Sequence, residues 1–194
     1  MKKIITISRE FGAGGGEIGR AVAQRLGFDY FDKAIILKAC EEAGLDIASI
    51  VRYDEKVAMA FGFAQSLFGF YNRPVSDKLF DAQQRVIHKL AEHGNCVIVG
   101  RNANTILKEF NDCLHVFIHA NPYWRLQRMH NKMPDTSISK ISDQMRHIDK
   151  SRKKYCTRYT NSEFGVAEYY DICLSSSSLG IDRCVDVICD IAKS

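Results

Sequence analysis

With 194 residues, 46% of them hydrophobic and 26% charged, the chain has an ordinary globular composition and the length of one domain with a substantial core. A formal net charge of +4 suits an anionic small ligand, and no basic block with interleaved aromatics marks a nucleic-acid surface. No apolar stretch is long enough to span a membrane, and residues 4–7 after Met1-Lys2-Lys3 are too few for a secretory signal, so the expected setting is the cytoplasm.

In chain order, residues 4–8 are a β-branched run that reads as a buried strand. A glycine-rich loop follows. Residues 17–26 then place Ile18, Ala21, Val22 and Leu26 at helical spacing, with Gly27 as the C-cap. Residues 29–32 read as a short strand and 33–43 as a helix ending at Gly44. Residues 57–71 concentrate Phe61, Phe63, Phe68, Phe70 and Tyr71. That run is an amphipathic helix packed on the core, or else a ligand-side lobe or the contact of a homodimer. Ser76 caps a long helix through Glu92, residues 96–99 form a second buried strand ending at Gly100-Arg101, and 113–119 form a third. Pro122 opens the next helix. Residues 125–159 are dense in Arg and Lys, which marks a solvated helical face or a phosphate-facing lid. Residues 170–174 are the last strand, 175–178 a turn, and 181–192 the last helix. Strands alternating with helices imply an α/β fold, with a parallel sheet wrapped on both faces.

Seven cysteines, Cys40, Cys96, Cys113, Cys156, Cys173, Cys184 and Cys189, are scattered and include no C-x-x-C. The pattern argues against a metal site or a disulfide scaffold. It favours small, mostly buried side chains in a reducing compartment. Cys96, Cys113 and Cys173 lie in apolar strand-like runs, which supports that reading.

The glycine loop carries the chemistry. A strand, a glycine run and a helix in succession build a phosphate cradle: glycine admits close backbone approach, and the helix turns its unpaired N–H groups toward the anion. The P-loop pattern G-x-x-x-x-G-K-[ST] is met here in strand, glycines and helix, but not in its lysine or hydroxyl. Gly14-x-Gly16-x-x-Gly19, with Asp32 beyond it, also fits the fingerprint of a Rossmann dinucleotide turn and its ribose carboxylate. On the loop alone, both readings and a ligand-free tight turn stay open.

Further motifs follow in a fixed order. They are Ile4, Thr6 and Ile7 with Gly12-Ala13-Gly14; Ala23-x-x-Leu26-Gly27 with Phe31-Asp32; Val97-Ile98-Val99-Gly100-Arg101; Arg125-x-x-Arg128; Asp149-x-x-Arg152; and Asp171-Ile172-Cys173-Leu174 with Ser178-Leu179. Together they resemble the cytidylate kinases and, more closely, the divergent cytidylate kinase-like family of bacterial proteins. The resemblance implies a P-loop nucleoside monophosphate kinase fold that moves the γ-phosphoryl of ATP, with Mg²⁺, onto a nucleotide such as CMP or dCMP. It makes residues 33–93 an acceptor-side helical segment and 121–160 a basic lid within one domain.

On this resemblance Gly12, Ala13, Gly14, Gly15 and Gly16 cradle the donor phosphates, with Glu17 beside them. Arg101, at the carboxyl edge of the sheet, binds the acceptor phosphate. Asp32 orients the acceptor nucleotide or caps the helix at Lys33. Arg125 and Arg128 share a helix face, one of them toward the donor. Arg152 serves phosphate, with Asp149 as its orienting partner or in a structural salt bridge. Arg146 and Arg158 read as surface charges.

The chain departs from the family pattern in three places. Gly15 stands where the lysine belongs, Gly16 and Glu17 stand at the hydroxyl positions, and Asn102 replaces the acid after Gly100-Arg101. Arg9 or a lid arginine is then expected to supply the missing positive charge. Glu17 caps the helix or holds the metal. Two other functions compete: a nucleotide binder that has lost turnover, and a Rossmann-type dinucleotide protein.

Overall fold

The computed structural model describes residues 2–34, 36 and 75–194; most of the segment at 33–43, the aromatic run at 57–71 and Cys40 lie outside the described residues. Among the described residues five strands form the sheet: β1 (Ile4–Arg9), β2 (Asp29–Phe31), β3 (Cys96–Val99), β4 (Cys113–His119) and β5 (Ile172–Ser175). All neighbours pair in parallel, in the order β2-β3-β1-β4-β5. Parallel pairing demands crossovers, and helices supply them. The described helices are α1 (Gly15–Leu26), α2 (Val75–His93), α3 (Ala103–Ile106), α4 (Pro122–Lys132) and α5 (Ile138–Tyr159) between strands, and α6 (Ser176–Leu179) and α7 (Ile181–Lys193) after the last one.

Strand alternation sorts the side chains into two cores. Ile5, Ile7, Val97 and Val99 face α1 and α7, where Ile18, Val22, Cys184 and Ile188 meet them. Ile4, Cys96 and Ile98 face the opposite layer, where Leu79, Ile87 and Leu107 close the second core. β1 sits at the centre of the sheet with both faces covered, which is why it reads as an unbroken β-branched run. Its carboxyl end opens between β3 and β4, the position where doubly wound sheets bind ligands.

This strand order corrects the Rossmann reading. A dinucleotide sheet runs 3-2-1-4-5-6. Here β3 inserts between β1 and β2, so β2 and Asp32 do not lie beside the glycine turn's own strand. Other differences from the sequence reading are local. Helix α1 starts two residues before Glu17, because Gly14 at φ 85° already caps it. Helix α2 starts at Val75, one residue ahead of the expected Ser76 cap. The last strand starts at Ile172 rather than Tyr170, since Ala167–Tyr169 form a 3₁₀ turn. The serine patch makes a short helix, Ser176–Leu179, rather than a plain turn. Cys173 is exposed on edge strand β5, while Cys96, Cys113, Cys156, Cys184 and Cys189 are buried as expected. Among the described residues no helix is long and apolar enough to cross a membrane.

Candidate phosphate-binding site

The loop between β1 and α1 leaves several amides without an acceptor among the described residues, while its carbonyls are held by side chains. Gly12 and Gly14 have φ of 79° and 85°, a conformation that suits glycine. Within the loop, Ala13 N–H donates to the Glu10 carbonyl at 3.3 Å, and the first bond of α1 runs from Ile18 N–H to Gly14 O at 2.9 Å. The amides of Gly12, Gly14, Gly15, Gly16 and Glu17 have no acceptor among the described residues. They are donors without an acceptor at a helix N-terminus, where phosphate binds readily.

The carbonyls are held from behind. Arg152 Nη1 donates to Arg9 O at 2.8 Å, Arg125 Nη1 to Phe11 O at 3.1 Å, and Arg128 Nη1 to Gly12 O at 3.4 Å. Ser176 Oγ donates to Ala13 O at 2.7 Å. Three of the arginines expected to face phosphate therefore also brace the loop.

For Arg125 the bracing position is the whole of what the structure shows. Its side chain is buried between two carboxylates, with Nη1 at 2.6 Å from Asp149 Oδ2 and Nε at 3.6 Å from Glu10 Oε2. Asp149 Oδ1 also accepts the Phe11 N–H at 2.7 Å, and Glu10 Oε2 accepts the Ala120 N–H at 3.0 Å. The Asp149 carboxylate thus pairs with both arginines, more closely with Arg125 than with Arg152 at 3.7 Å, so the expected Asp149–Arg152 pair is present but shared. Glu10 carried no expectation at all, because its partners lie more than a hundred residues away.

Glu17 is taken up by cations. Arg128 Nη2 pairs with its carboxylate, and Lys132 Nζ lies 3.1 Å from it. With Gly16 in the hydroxyl position and Glu17 committed to α4, the loop offers Mg²⁺ neither a free carboxylate nor a hydroxyl. Asn102, in place of the expected acid, donates through Nδ2 to Tyr155 O at 3.4 Å. These residues do not fit a metal held by the chain.

Arg9 behaves differently from the others. A Cβ built on Gly15 would lie 2.5 Å from Arg9 Cβ and 2.7 Å from Cγ, so the Arg9 stem occupies the space a side chain at position 15 would need. A Cβ on Gly100, at φ 83°, would lie 2.0 Å from Arg9 Nη1. Among the described residues no carboxylate forms an ion pair with Arg9. Burial, and then Arg152 and Arg101, disfavours its charge, Tyr30 and Asp32 oppose them, and the balance pulls it down to about 9. Burial likewise lowers Arg152. At neutral pH both cations persist, and the cost is one that an incoming anion relieves.

Arg101 follows β3 in a left-handed run: Gly100, Arg101 and Asn102 have φ of 83°, 58° and 57°. Such strain in non-glycine residues collects at functional sites. Arg101 Nε donates to the buried Gln83 Oε1 at 2.8 Å, and its guanidinium lies 4.7 Å over the Tyr155 ring. Tyr155 Oη donates to the same Gln83 oxygen at 3.0 Å. Gln83 carries no expectation from the sequence. The available signal is a polar side chain at core spacing, four residues after Leu79 and four before Ile87.

A cleft of about 890 Å³ opens beside these groups, lined by Arg9, Gly16, Glu17, Tyr30, Asp32 and Val99 among others. Asp32 Oδ1 accepts the Ala34 N–H at 3.0 Å, which is the helix-capping role. Its other oxygen lies 3.8 Å from Arg20, whose guanidinium stacks 4.4 Å over Tyr30. Arg146 pairs with Asp143 and Arg158 with Asp77 at 3.1 Å, both away from the loop.

A family model, that of the cytidylate kinase-like family, matches residues 4–178. The chain belongs to the cytidylate kinase-like family. Solved structures agree on the fold of this family member. It is similar to an uncharacterized protein from Eubacterium ventriosum ATCC 27560 at 22% identity and a TM-score of 0.77, covering 100% of this chain and 99% of that one. It is also similar to the shikimate kinase from Bacteroides thetaiotaomicron, at 14% identity and TM-score 0.58 with 100% of both chains covered. A gluconokinase from Sinorhizobium meliloti 1021 follows at 10% identity and TM-score 0.55, covering 99% and 94%. At these identities the likeness shows a P-loop kinase fold and no more. A search of curated proteins gave no match.

Proposed function

We propose that this cytidylate kinase-like protein binds ATP at the loop of residues 12–17 and transfers its γ-phosphoryl to a nucleoside monophosphate such as CMP or dCMP. The observation that carries this reading is a set of five loop amides with no acceptor among the described residues, beside Arg9, whose guanidinium forms no ion pair among them. An acceptor phosphate is already a nucleophile, so the protein's task is to bring two anions together and neutralise charge. The amides hold the donor phosphates. Arg128, in contact with the loop, and Arg152 and Arg101, near Arg9, supply positive charge. Asp32 orients the acceptor from the end of β2. Arg125 and Asp149 keep the loop in shape. No step runs through a metal held by the chain. The cytoplasm is the setting this reading assigns.

Glu17 favours a second reading, a nucleotide binder without turnover, because its carboxylate already satisfies Arg128 at the loop mouth. A coupled ADP-release assay with CMP, dCMP, UMP and AMP separates the two. ADP release that depends on one monophosphate supports the kinase. Saturable ATP binding with no release supports the binder. Shikimate and gluconate serve as controls, and turnover with either in place of a monophosphate contradicts the proposed acceptor.

A further inference from the structure

The missing lysine and Arg9, which has no ion pair among the described residues, invite a simple exchange in which Arg9 replaces the lysine over the donor phosphates. The direction of the side chain argues otherwise. Only its aliphatic stem lies against Gly15, while the guanidinium lies against Gly100 at the carboxyl end of β3. Its charged and polar neighbours are Tyr30 and Asp32 from the end of β2, Arg101 after β3, and Arg152 from α5. These come from the β2–β3 side of the sheet and from α5. The loop has its own cation on the β4 side: Arg128 donates to Gly12 O, and its Nη2 lies 3.6 Å from the Cβ position of Gly14.

We infer that Arg9 anchors the phosphomonoester of the acceptor, at the β2–β3 side of the loop, and is not a substitute for the donor lysine. Arg101 is tied to Gln83 and stacked on Tyr155, and Arg152 is shared between Asp149 and the Arg9 carbonyl. Arg9 is the member of this trio whose guanidinium has no hydrogen bond or ion pair among the described residues, and the one of the three that lines the cleft. A guanidinium fork matches two oxygens of a phosphate dianion. The cleft lies in the size range of small-molecule sites, about 300–1,000 Å³. The nucleoside part of the ligand rests on the proposed function; the anion site rests on Arg9 alone.

Calorimetric titration of the full chain with CMP, inorganic phosphate and a non-hydrolysable ATP analogue tests the inference, using wild type, Arg9→Met and Arg9→Lys with their folding checked by circular dichroism. Loss of a charged hydrogen-bond pair predicts that Arg9→Met weakens CMP and phosphate about tenfold or more and leaves the ATP analogue within about twofold. Arg9→Lys falls between, since it keeps the charge without the fork, and it decides the matter if the Met variant does not fold. Weaker ATP-analogue binding with CMP unchanged overturns the inference, as does an equal loss of both or no change in either. A wild type that binds inorganic phosphate through Arg9 but no monophosphate contradicts the proposed acceptor and leaves the anion site standing. A wild type that binds neither overturns the site.

Discussion

At the residue scale, positions 9 and 15 form one unit. Glycine at 15 makes room for the Arg9 stem, and an arginine at 9 leaves no room for a lysine at 15. Gly15→Ala should cost about 1–3 kcal/mol, the usual range for forcing a group into filled space. In the Arg9→Gly background the same change should cost far less. A double-mutant cycle by urea unfolding is expected to give a coupling of about 1 kcal/mol or more, whereas additive effects would show that the two residues do not share this space. The absence of the lysine was legible in the sequence. The course of Arg9 past Gly100 was not, because Gly100 lies about ninety residues away and reaches Arg9 only through the parallel pairing of β1 with β3.

His115 carries a prediction of its own. It sits on β4, with Nδ1 2.8 Å from Thr6 Oγ1, and burial pushes it below its ordinary value; Asp171 opposes that shift and Lys2 adds to it. The unfolded chain takes up a proton near the usual histidine value of about 6.5, and the folded chain resists. The unfolded state therefore binds more protons in that range, so stability rises with pH through it and is lost as pH falls below it. Wild type should lose more stability between about pH 7 and pH 5 than His115→Gln does. Equal slopes in urea titrations at the two pH values would contradict this.

At the element scale, helices α4 and α5 act as a back plate for the loop. Arginines from both helices hold its carbonyls, and Asp149 of α5 joins Arg125 of α4 to the Phe11 amide. Asp149→Ala leaves a buried guanidinium without its closest partner. The expected cost is about 3 kcal/mol, the scale for breaking one side of a buried pair. For a chain of this length that corresponds to a fall in Tm of roughly 6–12 °C. Asp149→Asn should lose less, since its oxygen can still accept from Phe11. A melting temperature unchanged in Asp149→Ala would remove the brace from the account.

The elements themselves were largely readable. Strands β3 and β4 match the sequence reading to the residue, because short β-branched runs between clear turn signals leave little freedom. Helix α4 starts at Pro122 as expected, with Asn121 Oδ1 accepting from the Tyr123 and Trp124 amides. What escaped was pairing over distance. The R-x-x-R spacing shows that Arg125 and Arg128 share a face, but it does not reveal Glu10 and Asp149 waiting for Arg125. The exposure of Cys173 has a similar cause, since an apolar run does not announce that its strand will lie at the sheet edge.

At the scale of the whole molecule, the order β2-β3-β1-β4-β5 decides what the glycine loop is. The loop pattern alone fits a P-loop relative or a dinucleotide turn. The sheet puts the loop at the central strand, with β3 and Gly100-Arg101 on one side and β4 leading into the arginines of α4 on the other. That layout gives the molecule two cationic flanks around a set of amides with no acceptor among the described residues: Arg128 on the β4 side and Arg9 on the β3 side. The downstream motifs made the fold legible. The division of labour between the flanks came only from the positions of side chains.

The central claim is that a P-loop without its lysine still brings two phosphates together, the donor on the amides and the acceptor on Arg9. A crystal structure of the protein with a non-hydrolysable ATP analogue and CMP tests it directly. The account predicts the analogue's phosphates within hydrogen-bond distance of the amides of residues 12–17, and the CMP phosphate on the Arg9 guanidinium. Analogue phosphates bound away from those amides, or bound by Arg9 with CMP elsewhere, would contradict it.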